Sequence, residues 1–290
     1  AVHPVTSGRT AMGSDVDNAT RLAQEHYENF PVGSRFLPKA LRPHVHRLYA
    51  FARVADDLVD EAGDLAALHE WRSATRDALD GRPSIQLLVN LASTVREFAL
   101  PETLLFRLLD AFERDLAQGR YADMDDLLSY CRDSADPVGR LMLHLFRRAD
   151  AVNEHLSDRI CTGLQILNHC QDVRSDYLER DRVYLPADRM LHFGVSVDDL
   201  AADTTSRGLQ RIVAELVDDC AARFAEGFEL PRRLGGRSGL EIRAVLQAAC
   251  VIVDRMRTMN YDVARRRPTI HKADAPELLL RTLLPWKPRL

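Results

Sequence analysis

Period-two alternation of apolar and polar residues is missing from this chain of 290 residues. No useful length of it supports a half-buried strand, and no repeat of about 20 to 50 residues recurs, which excludes sheet and solenoid architectures. Apolar runs are short as well, and none approaches the roughly 18 residues that span a bilayer. The first 15 residues are small and polar, without the apolar segment of a secretory leader. Cys131, Cys161, Cys170, Cys220 and Cys250 are odd in number and form no C-x-x-C. Each sits in an apolar helical context, so the expectation is buried free thiols in a reducing compartment. A basic excess is lacking too: 39 Lys and Arg against 43 Asp and Glu give a net charge of −4, with no global field for nucleic acid. No G-x-G-x-x-G follows a strand, and Gly235-Gly-Arg-Ser-Gly239 reads as a turn. These absences lead to the expectation of a soluble, cytoplasmic chain.

What is present is helical punctuation. Residues 1–15 read as disordered, and 16–290 as a single all-α domain, since no linker is richer than Gly235-Gly236. Helices are expected from Asp15 to Glu28, from Pro38–Pro43 to Ala62, then over Leu65–Leu79, Ser84–Phe98, Pro101–Gly119 and Asp123–Cys131. Asp136-Pro137 opens another, and a long apolar helix covers Val152–Leu178. Arg182-Val-Tyr-Leu-Pro186 reads as its exit loop. Two further helices fit Thr204–Leu230 and Leu240–Arg266, with a short one near Pro276–Leu284.

Two stretches answer each other across this pattern: Asp56-Asp57-Leu-Val-Asp60-Glu61 and Asp172-Val-Arg-Ser-Asp176. In each, carboxylates four residues apart share one helical face and form a claw of oxygens. Other acidic residues, Asp115, Asp123, Asp125, Asp126, Asp198 and Asp199, read as solvated helix faces or turns. The two claws differ in having apolar lead-ins, which points to burial, and buried carboxylates need a metal or cationic partner. Hard oxygen ligands in pairs suit Mg²⁺, whose remaining shell is filled by water and substrate phosphates. Gln165, Asn168, Asp172 and Asp176 trace one face of the long helix, a polar stripe suited to a wet or ligand-filled cavity. Tyr49, Arg53, Asp56, Asp57 and Asp60 cluster likewise on the earlier helix; Arg53 either meets a phosphate oxygen or neutralises Asp57. His169 reads as a packed histidine.

Tyr49-Ala-Phe-Ala-Arg53-Val-Ala-Asp-Asp57-Leu-Val-Asp60-Glu61 resembles the first acid-rich motif of the squalene/phytoene synthase family of head-to-head prenyl synthases. Gln165-Ile-Leu-Asn168-His-Cys-Gln-Asp172-Val-Arg-Ser-Asp176, followed by Arg182-Val-Tyr184-Leu-Pro186, resembles the second. Tyr130-Cys131 ahead of Val138-Gly139 matches the family's Tyr-Cys segment, and the likeness extends over Tyr27 to Arg265. Within the family the chain is most similar to bacterial hydroxysqualene synthases of hopanoid gene clusters. The grounds are Glu28-Asn-Phe-Pro-Val-Gly-Ser34 and Tyr130-Cys-Arg-Asp-Ser-Ala-Asp-Pro-Val-Gly-Arg140. Phytoene, dehydrosqualene and eukaryotic-type squalene synthases usually carry Val-Ala-Gly where Ser134-Ala-Asp136 stands here.

The resemblance implies an isoprenoid-synthase-like helical bundle with a central cavity. It also implies ionisation of presqualene diphosphate, rearrangement of the cation and capture by water. Mg²⁺ held by Asp56, Asp60, Asp172 and Asp176 would draw off the diphosphate, with Tyr49, Arg53, Asp57, Gln165, Asn168 and Arg182 around the substrate. Tyr130 or Tyr184 would stabilise positive charge or place one water, unless both are core residues with satisfied hydroxyls. The alternative reactions are condensation of farnesyl diphosphate to presqualene diphosphate, squalene or dehydrosqualene. A non-catalytic prenyl-diphosphate-binding relative would be expected to lose metal carboxylates, and all four are present. A peripheral membrane contact is expected at Pro276-Glu-Leu-Leu-Leu-Arg-Thr-Leu-Leu-Pro-Trp286-Lys with the basic run Arg265–Arg267 before it, the alternative being a terminal helix docked on the bundle.

Overall fold

The computed structural model describes residues 36–60, 63–82 and 85–284. The expectations for residues 1–35, Glu61 and Trp286 therefore lie outside the described residues. Helices account for nearly all of the rest: α1 (Arg42–Asp60), α2 (Leu65–Leu79), α3 (Gln86–Phe98), α4 (Glu102–Ala117), α5 (Met124–Ser134), α6 (Asp136–Leu145) and α7 (Ala151–Arg180). After them come α8 (Ala187–Phe193), α9 (Val197–Ala201), α10 (Arg207–Gly227), α11 (Glu229–Leu234), α12 (Gly236–Thr258) and α13 (Ala275–Leu283). The all-α expectation holds, with one small addition. Arg120–Tyr121 (β1) pairs in parallel with Val183–Pro186 (β2), so the expected exit loop is a short buried strand.

Local chemistry explains the punctuation. Asp64, Asp123 and Asp150 each accept backbone N–H groups at a helix start, Asp150 from both Val152 and Asn153 at 3.0 and 2.9 Å. At the far end of α7, Asp181 adopts a left-handed conformation and the Arg182 N–H donates to the Asp176 carbonyl at 3.0 Å. That turn feeds Arg182 and Tyr184 back along the helix they have just left. The helix expected to reach Arg266 stops at Thr258 instead, because Asn260 and Tyr261 both take positive φ. Residues beyond them are released to lie across the bundle. The expected Gly235–Gly239 loop is likewise shorter, since α12 already starts at Gly236.

Two apolar clusters flank the middle of the molecule. One joins α1 to α4 through Phe51, Trp71, Leu88, Leu105 and Leu109; the other joins α5, α7, α10 and α12 through Leu127, Ile166, Val213, Phe224 and Val253. Phe146 packs on both. Burying side chains of this size stabilises by about 1.5–3 kcal/mol each before entropy is counted. The α7–α10 contact is the most extensive: Gly163 faces the Phe224 ring, and a Cβ there would come within 2.8 Å of it. α1 and α7, which carry the acidic claws, face one another between the clusters.

Candidate active site

A cavity of about 540 Å³ opens between α1, α4, α5, α7 and β2. Asp56 and Asp60 line it from α1, Asp172 and Asp176 from α7, as the helical spacing requires. Gln165 and Asn168 continue the α7 wall, so the stripe read from the sequence is a real wall. Arg53, Tyr130, Arg182 and Tyr184 line it too, whereas Tyr49 and Asp57 do not belong to the lining. The Arg53 guanidinium meets Asp57 at 2.6 Å and Asp56 at 3.1 Å while the residue lines the cavity.

Each claw has one clamped and one loosely compensated carboxylate. Asp60 receives Arg182 at 2.8 Å and Arg180 at 3.0 Å. Asp172 receives both ends of the Arg267 guanidinium, one of them at 2.8 Å. Burial, reinforced by Asp60, pushes Asp56 up to about 6, and burial reinforced by Asp172 pushes Asp176 up to about 7. Negative charge is thus crowded at the cavity mouth, which suits a divalent cation better than it suits the bare protein. Among the described residues no three acidic, histidine or cysteine side chains converge on one point. The carboxylates come two to a wall, an arrangement that fits Mg²⁺ taking one or two of them and completing its shell from a diphosphate.

Beyond the mouth the lining is aromatic. Tyr130 and Tyr184 both donate their hydroxyls to Asp115, at 2.7 and 2.9 Å. The Tyr184 ring stacks on His169 with centroids 3.6 Å apart, and Tyr121 stacks on Tyr184 and lies tilted against Tyr130. Burial lowers His169 to about 3, so its ring is neutral and π-rich, and it lines the cavity as well as packing. Burial raises Tyr130 and Tyr184 far above the ordinary phenol value, keeping both protonated. Their hydroxyls are satisfied by Asp115, and aromatic rings of this kind suit a cation.

Several residues escaped the sequence reading. Asp115 was expected on a solvated face, but it is the half-buried acceptor for both tyrosines and lines the cavity. Its spacing from Phe112, Ala111 and Leu108 on α4, all lining residues, carried the missed signal. Asp123 and Asp126 are also not idle: Asp123 caps α5 and Asp126 pairs with Arg114 at 2.5 Å. Arg180 carried no motif signal. Arg267, expected in a membrane-facing basic run, instead closes on Asp172, and no local pattern could have paired residues so far apart.

A family description, "Squalene/phytoene synthase", matches residues 23–274 of the chain. Hydroxysqualene synthase of Rhodopseudomonas palustris is 35% identical over 236 residues, covering 80% of each chain. Phytoene synthase of Thermus thermophilus is 30% identical over 276 residues, covering 94% of each. Among solved structures, squalene synthase HpnC from Alicyclobacillus acidocaldarius is 37% identical with a TM-score of 0.79, covering 87% of this chain and 97% of that one. A dehydrosqualene synthase in complex with ligand has a TM-score of 0.83 at 20% identity, which shows the shared fold.

Proposed function

The chain belongs to the squalene/phytoene synthase family of head-to-head prenyl synthases, and from that premise we propose that it converts presqualene diphosphate to hydroxysqualene. The observation that carries this choice is Ser134-Ala-Asp136-Pro137, which ends α5 and opens α6 and places Ser134 among the residues of the cavity wall. The relatives named hydroxysqualene synthase support it at 35% and 33% identity.

Asp56, Asp60, Asp172 and Asp176 are the residues to hold Mg²⁺, which when bound would polarise the departing diphosphate. Arg53, Arg180 and Arg182 line the same mouth and offer guanidinium groups to phosphate oxygens. Gln165 and Asn168 present neutral polar groups that orient without adding charge. The neutral rings of Tyr130, Tyr184 and His169 face the positive charge left on the carbon skeleton. Leu108, Ala111 and Phe112 supply a dry surface that limits stray nucleophiles.

Condensation of farnesyl diphosphate is the second reading, favoured by the Thermus thermophilus phytoene synthase matching over 94% of the chain. Incubation with Mg²⁺ and either presqualene or farnesyl diphosphate, without NADPH, separates the two by mass spectrometry. Hydroxysqualene from presqualene diphosphate is the expected result; presqualene diphosphate accumulating from farnesyl diphosphate would overturn it.

No described helix is long and apolar enough to cross a membrane. A peripheral contact is proposed at α13, where Leu278 and Thr282 are buried while Leu279, Leu280, Leu283 and Leu284 are exposed by 41 to 58%. The expected docking on the bundle and an outward leucine face therefore coexist. Replacing Leu280 and Leu283 by serine should reduce co-sedimentation with vesicles; unchanged binding removes α13 from the argument.

A further inference from the structure

The buried threonine hydroxyls on the described helices all have partners, Thr162 in the Asp136 carboxylate and the others in their own backbone. Thr75, Thr94, Thr258 and Thr282 all donate to the carbonyl four residues back. Ser134 has none: the residue lines the cavity, and its buried Oγ has no hydrogen-bond partner among the described residues. A buried hydroxyl left unmade costs about 1–3 kcal/mol, so a partner from within the cavity is called for.

Its neighbours hold it there firmly. Ser134 is the last residue of α5, and Ala135 joins that helix directly to α6. Asp133 receives Arg107 at 2.8 Å, and the same guanidinium reaches the Arg132 carbonyl. On the other side Asp136, 4% exposed, accepts the Thr162 hydroxyl at 2.8 Å. Residues before and after Ser134 are thus tied to α4 and α7, while Ser134 itself is left unbonded.

Position along the cavity identifies the partner. α4 and α5 run antiparallel, with Arg107 opposite Asp133 and Asp115 opposite Tyr130. Ser134 therefore stands at the level of Leu108, about one helical turn beyond Tyr130 and away from the carboxylate mouth. Substrate there is hydrocarbon, which offers nothing to a hydroxyl. Tyr130 and Tyr184 have committed their protons to Asp115. Water is the one small polar species the reaction requires in that space.

Resting on the reading that the cation is quenched by water, we infer that Ser134 is the positioning residue for that water, and thereby sets hydroxylated against unsaturated product. The water oxygen donates a lone pair to the carbocation and forms the C–O bond. The proton it sheds passes to the departed diphosphate, the base that the reaction itself releases, so charge and atoms balance. Without held water the cation loses a proton from carbon instead and leaves as a hydrocarbon.

The test is product ratio from presqualene diphosphate and Mg²⁺ without NADPH, for the parent protein and for Ser134→Ala, Ser134→Val and Ser134→Thr. The hydroxysqualene-to-hydrocarbon ratio should fall about five- to tenfold in the alanine and valine variants, the size of one lost hydrogen bond. Threonine, which keeps the hydroxyl, should restore most of it. Parent-like ratios in both alanine and valine variants would overturn the inference while leaving the proposed reaction standing. A parent protein that makes no hydroxysqualene would overturn the reading, and the inference with it.

Discussion

On α1 the clamped carboxylate is Asp60, held by Arg180 and Arg182 from the end of α7; on α7 it is Asp172, held by Arg267 from the segment after α12. Spacing and residue type are the same in both claws, yet their counter-charges have different origins. The first claw is compensated by the helix that carries the second, so bringing α1 to α7 completes it. The second is compensated only once the C-terminal segment has docked, fixed by Arg255 on Asp274 at 2.6 Å and by Gln171 on the Pro268 carbonyl. The difference teaches that a repeated motif gives repeated ligands, not repeated environments.

The strongest way to break the pairing of the claws is to withdraw the metal. Calorimetry with a diphosphate analogue should show binding with Mg²⁺ and little in EDTA, because four carboxylates otherwise repel it. Equal affinity in EDTA would refute the shared metal role of both claws. Next in size are the single neutral replacements. Asp56→Asn, Asp172→Asn and Asp176→Asn should each lower kcat/KM by about 100-fold, as loss of charge stabilisation in a transition state does. Asp198→Asn, at an exposed site on α9, should stay within about twofold, in the range of ordinary surface changes. If only one claw proved sensitive, the two would not act as a pair.

A smaller effect separates the counter-charges. Arg267 is half-exposed, so its pair with Asp172 is worth about 1 kcal/mol or less. Arg267→Ala should therefore raise the affinity for Mg²⁺ alone by only about two- to fivefold, on that energy. Weaker Mg²⁺ binding would mean that Arg267 supports the site rather than competing for Asp172.

The smallest expected effect lies in pH. Asp56 and Asp176 hold protons more tightly folded than the ordinary carboxyl at 3.8, to about 6 and about 7. Their stabilising contribution is present below pH 3.8 and is lost as pH rises through those values. The metal-free melting midpoint of Asp176→Asn should thus change less than that of the parent between pH 6 and 8. Asp56→Asn should differ less from the parent, since Asp56 is 36% exposed against 17% for Asp176 and its carboxyl titrates lower. Comparing variant with parent cancels Asp136 and Glu241, which burial also raises, to about 7 and about 8. Parallel profiles would show the Asp176 environment to be as solvated as a surface site.

The sequence by itself determined the helical class, the two claws and the α7 stripe of Gln165, Asn168, Asp172 and Asp176. Each depends on spacing within one helix, where a residue's neighbours at three and four positions are set by the backbone. It also carried Ser134 and Asp136, though only as letters in a motif. The tertiary structure decided which polar groups found partners. Asp115 looked like any acid on a helix until α5 and β2 brought Tyr130 and Tyr184 to it. Arg267 looked like one of three surface arginines until two left-handed residues, Asn260 and Tyr261, ended α12 and turned the chain toward Asp172. Ser134 was part of a motif until its neighbours were tied down and its own hydroxyl was left unpartnered beside a cavity. Pairing across the molecule has no period to read, because it is fixed by how elements pack and not by distance along the chain.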